Sequence, residues 1–152
     1  MAWTILRSGL YAELVGALAA PINGTIYAPF GSGRISSAAR EDLADAAVAV
    51  LSAPANHASN IYELSGTAAW SVADLAKALR VEYAPTALAQ ERTKLNAAPL
   101  LPFQPAMLLS IYSSAAAGFL DAPQSDLPKL VSAPSDSLAL AAAEALGKSD
   151  TY

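Results

Sequence analysis

The segment Arg7-Ser8-Gly9-Leu10-Tyr11 carries residue types suited to holding a ligand. It follows Trp3-Thr4-Ile5-Leu6, a β-prone run that reads as a buried strand over residues 3–6. In open α/β sheets, ligands bind at the C-terminal edge of the strands. At that edge Ser8 offers a hydroxyl, Gly9 lets the backbone approach a ligand, and Tyr11 can stack or hydrogen-bond. A second reading makes the same residues a strand-to-helix turn, with Ser8 as a cap and Tyr11 half-buried. Spacing alone does not separate the two.

Other chemistry-bearing residues are sparse. His57 is the one histidine, and it reads as a solvated loop residue with no acidic neighbour in sequence. Glu41, Asp42 and Asp45 read as a solvated, dipole-matched helix start, not as catalytic acids. Gly31-Ser32-Gly33 is an isolated Gly-x-Gly that leads into an extended piece, so it reads as a flexible loop tip and not a dinucleotide turn. A Gly-x-Ser-x-Gly nucleophile elbow is absent from the sequence. Without cysteine, disulfides and thiolate chemistry are excluded, and a single histidine excludes a histidine-rich metal site.

The elements that must position these residues alternate between strand and helix. Leu10, Leu14 and Leu18 have helical spacing up to Pro21. Short extended pieces follow at 25–28 and 34–36. An amphipathic helix over residues 40–53 places Leu43, Ala46, Ala47, Val50 and Leu51 on one face. Residues 60–64 form the second good strand, and a right-handed crossover through helix 40–53 would set it parallel to strand 3–6. Helix 72–79 has a capping box in Ser71 and Asp74 and a hydrophobic staple in Trp70 and Leu75. A short strand is expected at 81–83 and helices at 86–97, 106–117 and 137–146. Pro99, Pro102 and Pro105 break the chain before the second of these helices, and Gly147 is the expected stop of the last. The pattern predicts one α/β domain over residues 1–152 with a parallel sheet.

Composition sets the outer bounds. The chain is 54% hydrophobic and 14% charged, but much of the apolar content is alanine, which contributes little burial per residue. The formal net charge is -4 with no basic patch, which argues against a nucleic-acid partner. No signal-peptide pattern opens the chain, and Pro, Gly or charge interrupts every apolar run short of a membrane span. The expectation is a cytoplasmic protein with no membrane association.

Several segments together resemble a known family. Residues Trp3 to Glu13 resemble the "YTxLRNGxYxEN" segment of NmrA-like proteins, atypical short-chain dehydrogenases of the NAD(P)-binding Rossmann superfamily. Within that group the similarity is to the type 2 NAD(P)H:quinone oxidoreductases. Gly31 to Asp42 is similar to the family's "GxGKIxxxxRxDxA" stretch. Ile61 to Gly66, followed by Ala69-Trp70-Ser71-Val72, resembles "VYELxGxxAWT". Leu127 to Val131, with Ser137-Leu138, resembles the closing "LxxLIGxPxxxL" pattern, and the region of Gly118-Phe119 loosely resembles the pocket-closing "GxxxGxF" loop.

The resemblance implies a C-terminal half: a partial Rossmann-like parallel sheet with a C-terminal helical lobe that shapes the substrate pocket. The glycine-rich cofactor loop of the family's N-terminal half has no counterpart in the sequence. NAD(P)H is therefore implied for the intact family, with none expected on this chain alone. The family's strand-end Asn corresponds to Ser8, its Gly to Gly9, its aromatic to Leu10 and its Tyr to Tyr11. These residues and Phe119 are the expected pocket. The implied function is the substrate half of a reductase of quinone-like electrophiles, inactive by itself. The alternatives are a non-catalytic regulatory or binding module and a truncated gene product. In the family fold strand 3–6 is interior, so an unsatisfied edge is expected here, with self-association or a partner supplying the first half.

Overall fold

The computed structural model describes residues 2–122 and 124–149. The chain opens with β1 (Thr4–Ser8) and α1 (Ala12–Leu18), continues through β2 (Thr25–Ala28) and β3 (Arg34–Ile35), and then forms α2 (Arg40–Ser52). A 3-10 turn at Pro54–His57 leads into β4 (Asn60–Leu64), β5 (Trp70–Ser71) and α3 (Val72–Leu79). β6 (Glu82–Pro85) precedes α4 (Leu88–Ala97), α5 (Gln104–Ala116), α6 (Leu127–Leu130) and α7 (Ser137–Ser149). The architecture is α/β with small parallel sheets, as the alternation predicts.

The strands pair two by two. β1 lies parallel to β4, with Ile5 opposite Ile61 and Ser8 opposite Leu64. β2 lies parallel to β6, and β3 pairs antiparallel with β5. The crossover reading of strands 3–6 and 60–64 therefore holds. Helix α2 follows its apolar spacing in part: Leu43, Ala46 and Val50 are buried, while Leu51 projects outward. Leu43 and Ala46 join Ala38, Leu64 and Leu127 in a small core under β1 and β4, to which Leu6, Tyr62 and Leu130 add.

A larger core gathers Val15, Ile26, Phe30, Ile35, Trp70, Val72, Leu75 and Tyr112. Phe30 meets Tyr112 edge-to-face with ring centroids 4.7 Å apart. The capping box of α3 forms as read: Asp74 N–H donates to Ser71 Oγ at 3.2 Å, and Ser71 N–H donates to Asp74 Oδ2 at 2.8 Å. Trp70 and Leu75, the staple pair, are both in this core.

Several local expectations are corrected. Gly31-Ser32-Gly33 is not merely a flexible tip. A Cβ on Gly33 would stand 1.7 Å from Ala115 O, so only glycine permits the loop to lie on α5. Tyr83 pins the same loop by donating its hydroxyl to Ala28 O and Gly31 O, both at 3.1 Å. Pro105 does not break α5. It sits in the first turn, where a missing N–H costs nothing. Gly147 does not end α7, which runs on to Ser149 because a lone helical glycine costs less than the packing that carries it.

Candidate functional site

β1 and β4 end side by side, and their C-terminal ends open onto a cavity of about 590 Å³. Gly9 is the hinge of this edge: its N–H donates to Leu64 O at 2.7 Å as the chain leaves β1. Ser8, Gly9, Leu10 and Phe119 all line the cavity. Ser8 is not a helix cap. Helix α1 starts four residues later, with Tyr11 at its N-cap and no side-chain cap bond, and Ser8 stands exposed at the sheet edge. Phe119 is 82% exposed at the rim, next to Gly118 in the left-handed region at φ 81°.

Tyr11 does not join them. It lines a separate hollow with Glu13, Leu14 and Arg40. Backbone bonds between Leu10 and Ala38, and between Ala12 and Ala38, hold the turn so that Tyr11 points away from the Ser8 side. The closeness of Ser8, Gly9 and Tyr11 in sequence gave no sign of this twist.

The cavity also holds residues that the sequence reading missed. Ser36, Glu63, Ser65 and Gln124 complete its polar wall. Ser65 was findable, because it follows β4 as Ser8 ends β1, and both sit on the edge where α/β sheets bind ligands. Ser36 Oγ accepts Ala122 N–H at 3.0 Å, and Ser125 Oγ donates to Ser65 O at 2.6 Å. The 120s segment is thus tied across the mouth by hydroxyls. Leu10, Ile35, Leu64 and Leu120 supply the apolar lining. The arrangement suits a small, largely apolar ligand with one or two polar atoms.

The lining of this cavity offers a pyrophosphate few partners. A pyrophosphate takes a glycine-rich helix start or free cations. Arg7, the cation of the cavity, is engaged by Glu63 at 2.6 Å. Arg34 lies elsewhere, between Asp74 at 3.9 Å and Asp121 at 4.0 Å. Among the described residues no group of histidine and carboxylate side chains could hold a metal ion.

The remaining candidates are structural. His57 is not a free loop residue: its Nδ1 lies 2.8 Å from Tyr62 Oη. Asp42 departs furthest from its reading as a solvated helix-start charge. It is 5% exposed and accepts Ser135 N–H at 2.8 Å and Ser135 Oγ–H at 2.9 Å. This ties α2 to the turn before α7. Glu41 and Asp45 are exposed, as read.

Comparison with known proteins bears on this geometry. No family model matches the chain. Over 79 residues it is 43% identical to quinone oxidoreductase 2 of Escherichia coli, a stretch that is 51% of this chain and 27% of that protein. The chain is a homologue of quinone oxidoreductase 2. It is also 36% identical over 81 residues to the NAD(P)H azoreductase of Xenophilus azovorans, covering 52% of this chain and 28% of that one. An E. coli NADPH-dependent quinone oxidoreductase superposes with a TM-score of 0.81 at 31% identity, over 96% of this chain and 56% of the other. The triphenylmethane reductase of Citrobacter, solved with NADP(H), also gives 0.81, at 25% identity over 95% and 53%. The chain spans about half the length of the solved relatives on which it superposes. No helix among the described residues is long and apolar enough to cross a membrane.

Proposed function

We propose that this chain is the substrate-pocket half of an NAD(P)H-dependent oxidoreductase of quinone-like electrophiles, and that it is inactive alone. The observation that carries the reading is the cavity at the joint C-terminal ends of β1 and β4, in a homologue of quinone oxidoreductase 2. Its apolar walls match a planar organic acceptor, and Ser8 supplies an exposed hydroxyl at the sheet edge. Hydride chemistry in such a reductase belongs to the nicotinamide, and the protein's part is to hold the acceptor. In this reading the dinucleotide is bound by residues outside this chain, the partner small molecule is a quinone-like substrate, and the compartment is the cytoplasm.

Two titrations test the proposal. Isothermal titration with NADPH should show no low-micromolar binding. Titration with menadione, followed by backbone NMR, should shift Ser8, Gly9, Leu10 and Phe119 together and leave Tyr11 unmoved. Tight NADPH binding, or menadione shifts centred elsewhere, would reject it. A non-catalytic binding module is the second reading, favoured by Ser8 and Leu10 standing where the resembled motif has Asn and an aromatic. That reading expects no menadione shifts in the cavity.

A further inference from the structure

A second cavity, of about 360 Å³, opens where the end of α1 meets α4 and α5. Leu18 lines it from α1, Tyr27 from β2, Leu95 from α4 and Tyr112 from α5, with Ile22 at the turn between α1 and β2. The local sequence keeps this corner open. Pro21 follows α1 closely, and Asn23 and Gly24, both left-handed at φ 49° and 79°, turn the chain sharply into β2. Leu95 is the buried residue of α4, so that helix packs through a narrow contact and does not fill the corner.

Tyr112 carries the first polar group. Its side chain is 3% exposed, and its ring is fixed edge-to-face on Phe30. The hydroxyl has no hydrogen-bond partner among the described residues, yet it is not sealed off. The sealed side-chain atoms without a partner are Ser37 Oγ and Thr86 Oγ1. The Tyr112 hydroxyl therefore reaches open space, and the space that Tyr112 lines is this cavity. Burial first, and then the nearby Glu91 carboxylate, push the phenol far above its ordinary value, so it stays a hydrogen-bond donor.

Glu91 carries the second. Its side chain is 12% exposed, and Lys94 Nζ lies 3.2 Å from its Oε2. Lys94 takes up that oxygen and offsets the charge, while Oε1 has no hydrogen-bond partner among the described residues. A donor and an acceptor thus stand near each other in apolar surroundings without bonding to one another. Unmade bonds of this kind are costly, and most such groups in folded proteins find a partner.

We infer that this cavity binds a small uncharged phenol. The ring lies among Leu18, Tyr27 and Leu95, and the ligand hydroxyl donates to Glu91 Oε1 while accepting the Tyr112 O–H. One ligand oxygen then satisfies both groups. A quinone has only carbonyl oxygens, which Tyr112 can bond but which offer Glu91 no proton. An organic cation would have to displace Lys94 from the carboxylate. The cavity shares no lining residue with the one at the ends of β1 and β4, and the inference is independent of the quinone reading.

The test titrates the full chain with 4-methylphenol, followed by backbone NMR. Saturable shifts at Leu18, Ile22 and Leu95 are expected. 4-Methylanisole, which accepts but cannot donate, should bind about tenfold more weakly. Glu91→Gln and Tyr112→Phe should each weaken 4-methylphenol by about fivefold or more and leave toluene binding unchanged. Tyr112→Phe should not lower the melting temperature, because its hydroxyl bonds to nothing within the fold. Four results overturn the inference: no saturable shifts at those amides, equal affinity for 4-methylphenol and 4-methylanisole, tighter binding of the cation 4-methylbenzylammonium, or unchanged 4-methylphenol affinity in both variants. Menadione shifts at Ser8 and Gly9 bear on the quinone reading alone, so either proposal can fail without the other.

Discussion

The β2–β6 and β1–β4 pairs are both two-stranded and parallel, yet one is built into the larger core and the other packs on a small core by one face only. In β2, Ile26 and Ala28 are fully buried against the cluster around Phe30, Leu75 and Tyr112. In β1 no residue is fully buried, and Ile5 and its register partner Ile61 of β4 face solvent. The same local geometry therefore serves two ends. The first pair completes a core that the chain supplies itself. The second leaves one face open to solvent, and the candidate ligand edge lies beside it. The main core and the candidate ligand edge are thus separated in space, which allows each region to be perturbed on its own.

The largest expected effect lies in the closed region. Gly33→Ala would drive a methyl into the Ala115 carbonyl. Overpacking typically costs about 1–3 kcal/mol and more against backbone, so a melting temperature lowered by ten degrees or more is expected from thermal unfolding. A change of a degree or two would mean that the loop can lift off α5, and the contrast between closed and open regions would weaken.

Asp42 tests the joint between α2 and the turn before α7. Asp42→Ala removes two charge-assisted acceptors but leaves Ser135 able to reach water, so a loss of about 1–2 kcal/mol is expected in urea unfolding. No measurable loss would show that α2 is held by its apolar face alone. This residue also marks a limit of sequence reading. Glu41, Asp42 and Asp45 look alike as a helix start, and only the partner 93 positions away distinguishes Asp42. The capping box, the staple and the β1–β4 crossover were legible because their determinants lie within a few residues or follow from chain handedness. Ser8, Gly9 and Leu10 were placed on the cavity by the strand-edge rule. Tyr11 was misplaced because the backbone bridge to Ala38 rotates the turn, and the 120s wall was missed because it arrives from a distant loop.

Acid should separate the regions next. The Asp74 carboxyl is held below its ordinary range, chiefly by the Ser71 N–H and then by the Ser71 hydroxyl. The folded state thus binds that proton less readily than the unfolded state. The stabilisation is full above the unfolded value, near about 3.9, and is lost as pH falls through the lowered folded value. Asp74→Asn should therefore lower the melting temperature at pH 7, with the gap from wild type closing toward pH 3. A gap that stays constant with pH would assign the effect to packing.

The smallest expected effect falls on the open region. Ile5→Ser removes an apolar side chain from the uncovered face of β1. Were β1 part of a finished core, such a change would cost several kcal/mol, as large-to-small core substitutions do. Ile5 is 45% exposed and its outer face meets no helix, so the change in the isolated chain should stay within about 0.5 kcal/mol. The contrast with a buried position of the closed pair supplies the control: Ile26→Ser leaves a cavity and an unpaired hydroxyl in the main core and should be severe. If urea unfolding gave Ile5→Ser and Ile26→Ser similar losses, β1 would already be covered in solution by something the isolated fold does not show, and the division between a self-sufficient core and an open margin would fail.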